Sequence, residues 1–500
     1  MEALIQVFNF LADPYNLALI LIGTTVGVFV GALPGLGSVV MISLFLPFVI
    51  RMEPVSGIAL ISVIYCAATY GGSISAILIN TPGTAAAAAT TFDGYPLAQK
   101  GQAGRALGVA TFSSAIGGIL GIIVMVIATP LLAKLAFLFG PAEYFALAIF
   151  GISMLASISG NSMVKNFMAG AFGILIGTAG TDFATGVERF TFGQADLSEG
   201  IRPVQMMIGL FAGGELIRQS TKLGQKRTFV AATVAKLPSV GDLKRIWKTV
   251  LRGTGIGTFI GILPAEGGTV AAMIAYNQER KISKNKDQFG KGAIEGVAAA
   301  ESANNAATGG TMVPTLALGI PGGGSTAVIL AAMLILGLRP GPQLFNEQPE
   351  LLYGIFGAML GANIYFLFLG MVGAKLFSRI SLVPTTFLWP MVFVMAALGA
   401  YSLQQNLFDV GIMLVFAYSG YFLKRYGYSP APIIMGLILG ELIEVSLKQS
   451  YLIYDGNLFM ILKQPFAVLF LALAVIGCSS PLIGKLLLAR KVKGQASVKS

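Results

Sequence analysis

The sequence contains no histidine, two cysteines and two tryptophans, and only 11% of its residues are charged, against about 25% in an ordinary soluble chain. Without histidine there is no imidazole metal ligand and no imidazole proton relay. Cys66 and Cys478 lie far apart in apolar segments. Two thiolates alone build neither a zinc nor an iron–sulfur site, and no structural disulfide is expected between them. The chain has no G-x-x-x-x-G-K-[ST] phosphate loop, which argues against ATP as the energy source. It also offers no recognisable nucleophile–base pair, so it is not expected to be an enzyme and no cofactor is expected. No basic region precedes the first apolar run, and no cleaved leader is expected.

What the chain does have is apolar length. Of 500 residues, 55% are hydrophobic, 63 are glycine, and the mean hydropathy is +0.79. Apolar stretches of about 17–25 residues, the length that crosses a bilayer, recur throughout. The expectation is an all-α polytopic membrane protein with roughly 12–14 membrane segments, re-entrant hairpins included. The net charge of +11 is carried in loops between apolar segments, where the positive-inside rule accounts for it better than nucleic acid does.

Those loop charges set a topology. Arg218 to Arg252 carries nine basic residues and one acid, Asp242, and reads as a cytoplasmic connector. Asn277 to Lys291 and the tail from Lys485 read the same way. Met1 to Pro14 and Thr181 to Pro203, rich in acids, read as external. Lys134 and Lys448 fit this scheme poorly. Threading spans between these addresses puts the N-terminus outside and the C-terminus in the cytoplasm.

The two halves share motifs in the same order. Pro34 and Pro264 are 230 residues apart, Gly71 and Gly309 are 238, Pro82 and Pro321 are 239, and Glu215 and Glu441 are 226. Because one half starts outside and the other inside, the expectation is an inverted-topology repeat, the architecture of many secondary transporters. Its parts are residues 1–217 (first repeat), 218–252 (connector), 253–457 (second repeat) and 458–500 (an extra span and basic tail).

Four glycine–proline breaks interrupt the apolar sequence: Leu33 to Gly37, Asn80 to Thr84, Leu263 to Gly268 and Gly319 to Ser325. Such breaks are tolerated at membrane depth where backbone lines a cavity or is buried in protein. With Thr81 as N-cap and Pro82 at the first helical position, Ala85 to Ala89 is expected to continue as helix. Pro321 is expected to repeat this from the opposite side. Two such helix N-termini suit an anion, most simply a carboxylate. The candidate substrate residues are therefore Pro34, Gly35, Asn80, Thr81, Pro82, Gly83, Thr84, Pro321, Gly322, Gly323, Gly324 and Ser325. The plain alternative is a packing kink.

Glu301, Asn304, Asn305 and Thr308 share one helix face at i, i+3, i+4 and i+7. An intramembrane carboxylate with amide oxygens suits a coupling Na⁺ or a proton, against the alternative of a polar helix seam. Their first-half counterparts Ala68, Thr69 and Tyr70 are less polar. Glu295 lies off that face. Glu215, Glu441 and Glu444 read as anchors or inter-helix bonds at span ends. Asp93, Lys100 and Arg105 read as a solvated cytoplasmic loop, and Arg339 as an external loop residue.

Gly31-Ala-Leu-Pro-Gly-Leu-Gly, Tyr70-Gly-Gly-Ser-Ile-Ser-Ala-Ile-Leu-Ile-Asn-Thr-Pro-Gly-Thr, Phe92-Asp-Gly-Tyr-Pro-Leu-Ala and Pro314-Thr-Leu-Ala-Leu-Gly-Ile-Pro-Gly resemble the large membrane subunit of the tripartite tricarboxylate transporters, the TctA family. The resemblance spans essentially the whole chain. It implies a bacterial inner-membrane secondary transporter that imports a tricarboxylate such as citrate, or a related carboxylate, by Na⁺ or H⁺ symport. It also implies two partners, a periplasmic substrate-binding protein and a small membrane subunit. An elevator mechanism is expected by analogy with transporters that carry paired hairpins. The competing expectations are an anion channel and a carboxylate exchanger that needs no binding protein.

Overall fold

The computed structural model describes residues 2–158, 162–182, 185–221, 236–263, 267–380 and 385–479. The centre of the third break (Pro264, Ala265, Glu266), the connector residues Lys222, Lys226 and Arg227, and the tail from Lys485 lie outside the described residues.

Helices follow one another along the chain. They are α1 (Glu2–Ala12), α2 (Pro14–Gly31), α3 (Gly37–Val49), α4 (Pro54–Ile79), α5 (Thr91–Leu97), α6 (Ala103–Ala136) and α7 (Pro141–Ile158). Next come α8 (Met163–Gly177), α9 (Pro203–Met207), α10 (Gly214–Ser220), α11 (Val240–Ile262), α12 (Gly267–Ile282) and α13 (Ile294–Leu318). The series ends with α14 (Gly324–Ile335), α15 (Leu344–Glu347), α16 (Pro349–Ile380), α17 (Thr385–Gln404), α18 (Leu407–Arg425), α19 (Ala431–Ile453) and α20 (Pro465–Ser479). A two-residue β-ribbon pairs Gly180 with Arg189 and Thr181 with Glu188. Among the described residues, five helices are long and apolar enough to cross a membrane: α2, α4, the continuous run Thr91–Ala136, the Pro349–Gly373 part of α16, and α18.

The chain forms two compact units. The first is Met1–Ala136 with Val204–Phe422, and the second is Phe137–Pro203 with Leu423–Ser500. At the centre of the first lie α4 and α13, both buried around nearly their whole circumference. α4 is small and apolar on nearly every side and has no face to give to water, whereas α13 carries a polar face into the interior. The start of α4 is set by Glu53, which accepts from Val55 N (3.2 Å) and Ser56 N (3.0 Å), with Pro54 at the first helical position. α11 begins with a Ser239–Asp242 capping box. Helical structure therefore begins well inside the stretch read as a connector.

Close helix contacts are duplicated between the halves. Gly23, Gly27 and Gly31 of α2 meet Leu60, Ile64 and Ala68 of α4, and Gly253, Gly257 and Gly261 of α11 meet Ala299, Ala303 and Ala307 of α13. The glycines are 230 apart and their partners 239 apart. A methyl on Gly261 would stand 2.9 Å from the Ala307 carbonyl oxygen, and one on Gly27 3.1 Å from that of Ile64. Small residues let membrane helices approach to backbone contact. The long helices then exchange halves. α6 lays Gly117 and Gly121 against Ser302 and Ala306 of α13, and α16 stacks Phe366 on Tyr70 of α4 with ring centroids 4.7 Å apart.

In the second unit α8 and α19 pack through Gly170, Gly173 and Gly436. There Lys448 bonds Asp182 (2.8 Å) and Glu444 (2.8 Å), and Arg189 bonds Glu444 (3.0 Å). Glu444 is thus an inter-element bond, and Lys448, which fitted the loop charges poorly, is neutralised by the acidic loop beside it.

Candidate functional site at the helix breaks

Both central helices stop on a left-handed residue, Asn80 (φ 53°) after α4 and Gly319 (φ 68°) after α13. Gly and Asn are the residues that take this conformation at a helix C-terminus with least strain. The chain then doubles back along its own helix. Gly83 N donates to Gly72 O (3.2 Å), and a side chain on Gly83 would collide with the Gly31 carbonyl. In the second half Gly322 N donates to Thr315 Oγ1 (3.3 Å), and a methyl on Gly322 would stand 2.7 Å from Thr311 Cα.

This corrects the expected caps. Thr81 is not an N-cap: its hydroxyl donates back to Ile79 O (3.2 Å). The Gly83 bond holds Thr81 to Thr84 outside helix, and the alanine run forms a short 3-10 turn, Ala85–Ala88, that ends before α5. Pro321 likewise stands outside helix. α14 starts at Gly324, and Gly323 N donates to Thr326 Oγ1 (3.0 Å). The N–H groups of Gly83, Gly322 and Gly323 are therefore already bonded within the protein.

Nor do Asn80–Thr84 and Gly319–Ser325 bond to one another among the described residues. At each second break, or just after it, the chain meets the first-break region of the other half. Ser38, at the start of α3, and Ser325 share a hydrogen bond of 2.9 Å. Gly268, at the start of α12, faces the second break of the first half: a methyl placed on it would stand 3.3 Å from Ala86 Cβ and 3.3 Å from Asn304 Oδ1. Tyr65 OH to Thr311 Oγ1 (3.0 Å) and Cys66 Sγ to Thr308 Oγ1 (3.6 Å) join α4 to α13 nearby. Pro34 is buried. Gly35 (φ 92°) lies against Glu215, which is itself bonded by Arg218 (2.5 Å) and Gln219 (2.7 Å).

On α13, Glu301 is 0% exposed. It accepts from Thr90 Oγ1 and from Ser114 Oγ (2.8 Å), with Ser73 beside it. Glu301 has no ion-pair partner among the described residues. Asn304, also 0% exposed, has no partner at either amide atom. Asn305 turns its Nδ2 to the Glu301 carbonyl (3.1 Å), and Thr308 donates to the Asn305 carbonyl (2.7 Å). Thr84 Oγ1 is buried without a partner. Thr90, Ser114, Ser73 and Gly268 belong to this cluster and were missed as site residues. The hydroxyls carry no spacing signal, but the 230-residue offset from Ser38 would have pointed to Gly268.

Asp93 is not solvated. It is 0% exposed and accepts from Gly292 N (2.8 Å), Ala293 N (2.9 Å) and Tyr276 OH (3.0 Å). Because Ala293 has no capping side chain, Asp93 caps α13 from another element. Arg105 is likewise engaged, bonding Asp242 at 2.5 Å, while Lys100 is exposed. The guanidinium holds the Asp242 carboxyl below the usual carboxylate range. Arg245 pairs with Glu295 and Arg252 with Glu279. These connector cations fasten α11 to α12 and α13 as well as carrying charge. Arg339 is exposed.

Long apolar helices around a fully buried carboxylate and an unpartnered amide mark a multi-pass membrane protein. Residues 17–435 match the Tripartite tricarboxylate transporter TctA family. An "Uncharacterized 52.8 kDa protein in TAR-I ttuC' 3'region" of Agrobacterium vitis is 38% identical over 468 residues, covering 94% of this chain and 93% of that relative. An "Uncharacterized protein in TAR-II ttuC' 3'region" of the same organism is 37% identical over 220 residues, 44% of this chain and 91% of that relative. No solved structure matches. The chain belongs to the TctA family and is the large membrane subunit of a tripartite tricarboxylate transporter. That is a family of transporter subunits rather than enzymes, and it implies a periplasmic binding protein and a small membrane subunit as partners.

Proposed function

We propose that this chain imports a tricarboxylate or related carboxylate across the bacterial inner membrane by Na⁺ or H⁺ symport, receiving it from a periplasmic binding protein. The observation that carries this reading is the buried polar cluster of Glu301, Asn304 and Thr90, enclosed where the two halves meet beside Gly268 and Ala86. A buried carboxylate without a counter-charge is costly at membrane depth and marks an ion pathway. Glu301 is the coupling residue in this reading: once it takes up Na⁺ or a proton, an anion can enter beside it. The duplicated glycine contacts support an internal repeat, the loop charges read it as inverted, and by analogy one domain slides against a fixed scaffold as an elevator.

The test is uptake of labelled citrate into vesicles holding the membrane subunits, with the binding protein outside and Na⁺ and pH gradients imposed separately. Uptake that needs the binding protein and tracks one of the gradients is the expected result. Flux that persists with both gradients collapsed and no binding protein would make the protein a channel.

A further inference from the structure

The two crossed junctions are built from equivalent residues but are not equivalent in chemistry. Ser38 corresponds to Gly268, 230 residues on, and Ala86 to Ser325, 239 residues on; the 239-residue offset of the packed helices makes Tyr65, and not Ala68 to Tyr70 as the motifs suggested, the counterpart of Asn304. At the first junction every one of these polar groups is spoken for: Ser38 bonds Ser325 and Tyr65 bonds Thr311. At the second, both bridging hydroxyls are replaced by small apolar residues, Gly268 and Ala86. The Asn304 amide is left with a donor and an acceptor unused. A buried polar group with no partner is destabilising, so a buried amide with neither atom bonded needs an explanation.

We propose that the substrate carboxylate is held at the Gly268–Ala86–Asn304 junction alone, and that the Ser38–Ser325 junction is its closed structural twin. This rests on the carboxylate-transport reading and adds which of the two duplicated junctions takes the ligand. The amide N–H₂ of Asn304 donates to the anion. The N-terminus of α12, a helix of 16 residues, supplies the positive end of its dipole, which favours an anion over a cation. Gly268 is small because any side chain there projects onto Asn304 Oδ1.

The test exchanges the character of the equivalent positions. Gly268→Ser puts a hydroxyl within reach of Asn304, as Ser38 has in its twin, and it is expected to lower citrate uptake at least about tenfold while the melting temperature of the purified protein holds. Ser38→Ala opens the twin, and uptake is expected to stay within about twofold of the parent chain. The reverse pattern, or full uptake in Gly268→Ser, overturns the assignment. If Gly268→Ser fails to fold, Asn304→Ala, which only removes atoms, is expected to show the same loss, and full uptake in it overturns the assignment equally. A second readout needs no transported substrate. In a Cys66→Ala/Cys478→Ala background, Gly268→Cys is expected to react with a sulfonate-bearing thiol reagent faster than Ser38→Cys, and citrate is expected to slow only the former. Equal or reversed rates would sink the proposal even if no carboxylate were transported, whereas the expected rates without uptake would sink the transport reading alone.

Discussion

Glu301 and Asp93 are both carboxylates with 0% exposure in a chain that has few, yet their surroundings give them different work. Asp93 accepts two backbone N–H groups and a phenol, so its charge is spent on holding the start of α13. Glu301 accepts only hydroxyls, which can turn to serve a bound cation or a proton. Glu301→Gln keeps the shape and removes the charge. It is expected to cut gradient-driven uptake at least about tenfold without a fall in melting temperature; undiminished uptake would take Glu301 out of the mechanism. Asp93→Ala strands three donors, two of them buried, and a loss of about 3 kcal/mol of stability is expected, read as a lower melting temperature in detergent. The Glu301 face was legible because i, i+3, i+4, i+7 spacing is a helix property. The burial of Asp93 was not, because its partners lie about 200 residues away and no local pattern records them.

At the scale of elements, the glycines of α11 show what composition alone leaves open. Gly253, Gly257 and Gly261 face α13 at backbone distance, whereas Gly255 on the same helix has open space around its Cα. Gly257→Ala puts a methyl into the Ala303 carbonyl, and because backbone must move to relieve it, a cost of about 3 kcal/mol is expected. Gly255→Ala is expected to be neutral or to stabilise by up to about 1 kcal/mol through helix propensity. Melting curves of the two variants side by side check the contrast, and equal losses would refute the packing account. The motif offsets already showed that α2 and α11 are counterparts. The sequence pattern also found the four breaks, since proline and glycine announce themselves. The course of the chain beyond Asn80 and Gly319 departs from expectation, because Thr81 and Pro321 satisfy capping rules that the fold-back onto Gly72 and Thr311 overrides.

At the scale of the whole molecule, charge pairs tie together regions far apart in sequence, and they give the topology handles that can be tested. Arg105 and Asp242 join α6 to α11. Because the folded-state pKa of Asp242 is depressed, the pair contributes fully above the unfolded carboxylate pKa of about 4 and fades as pH falls through the lower folded value. Arg105→Gln should therefore lower the melting temperature at pH 7, by no more than the ~1 kcal/mol of a partly solvated pair, and the difference should vanish in strong acid. A gap that survives at low pH would mean the arginine acts through packing. The Asp182–Lys448–Glu444–Arg189 network has a larger consequence. It pins the acidic loop after α8 and the later turns of α19 to the same end of the second unit, so the two must share one side of the membrane. Acidic content assigns that side as external. With the native cysteines removed, Ser198→Cys and Gln449→Cys are expected to react with an impermeant thiol reagent added outside intact cells. Labelling of one from outside and the other only after lysis would break the network's account of the topology. Labelling of both only after lysis would keep the network but reverse the orientation read from the loop charges.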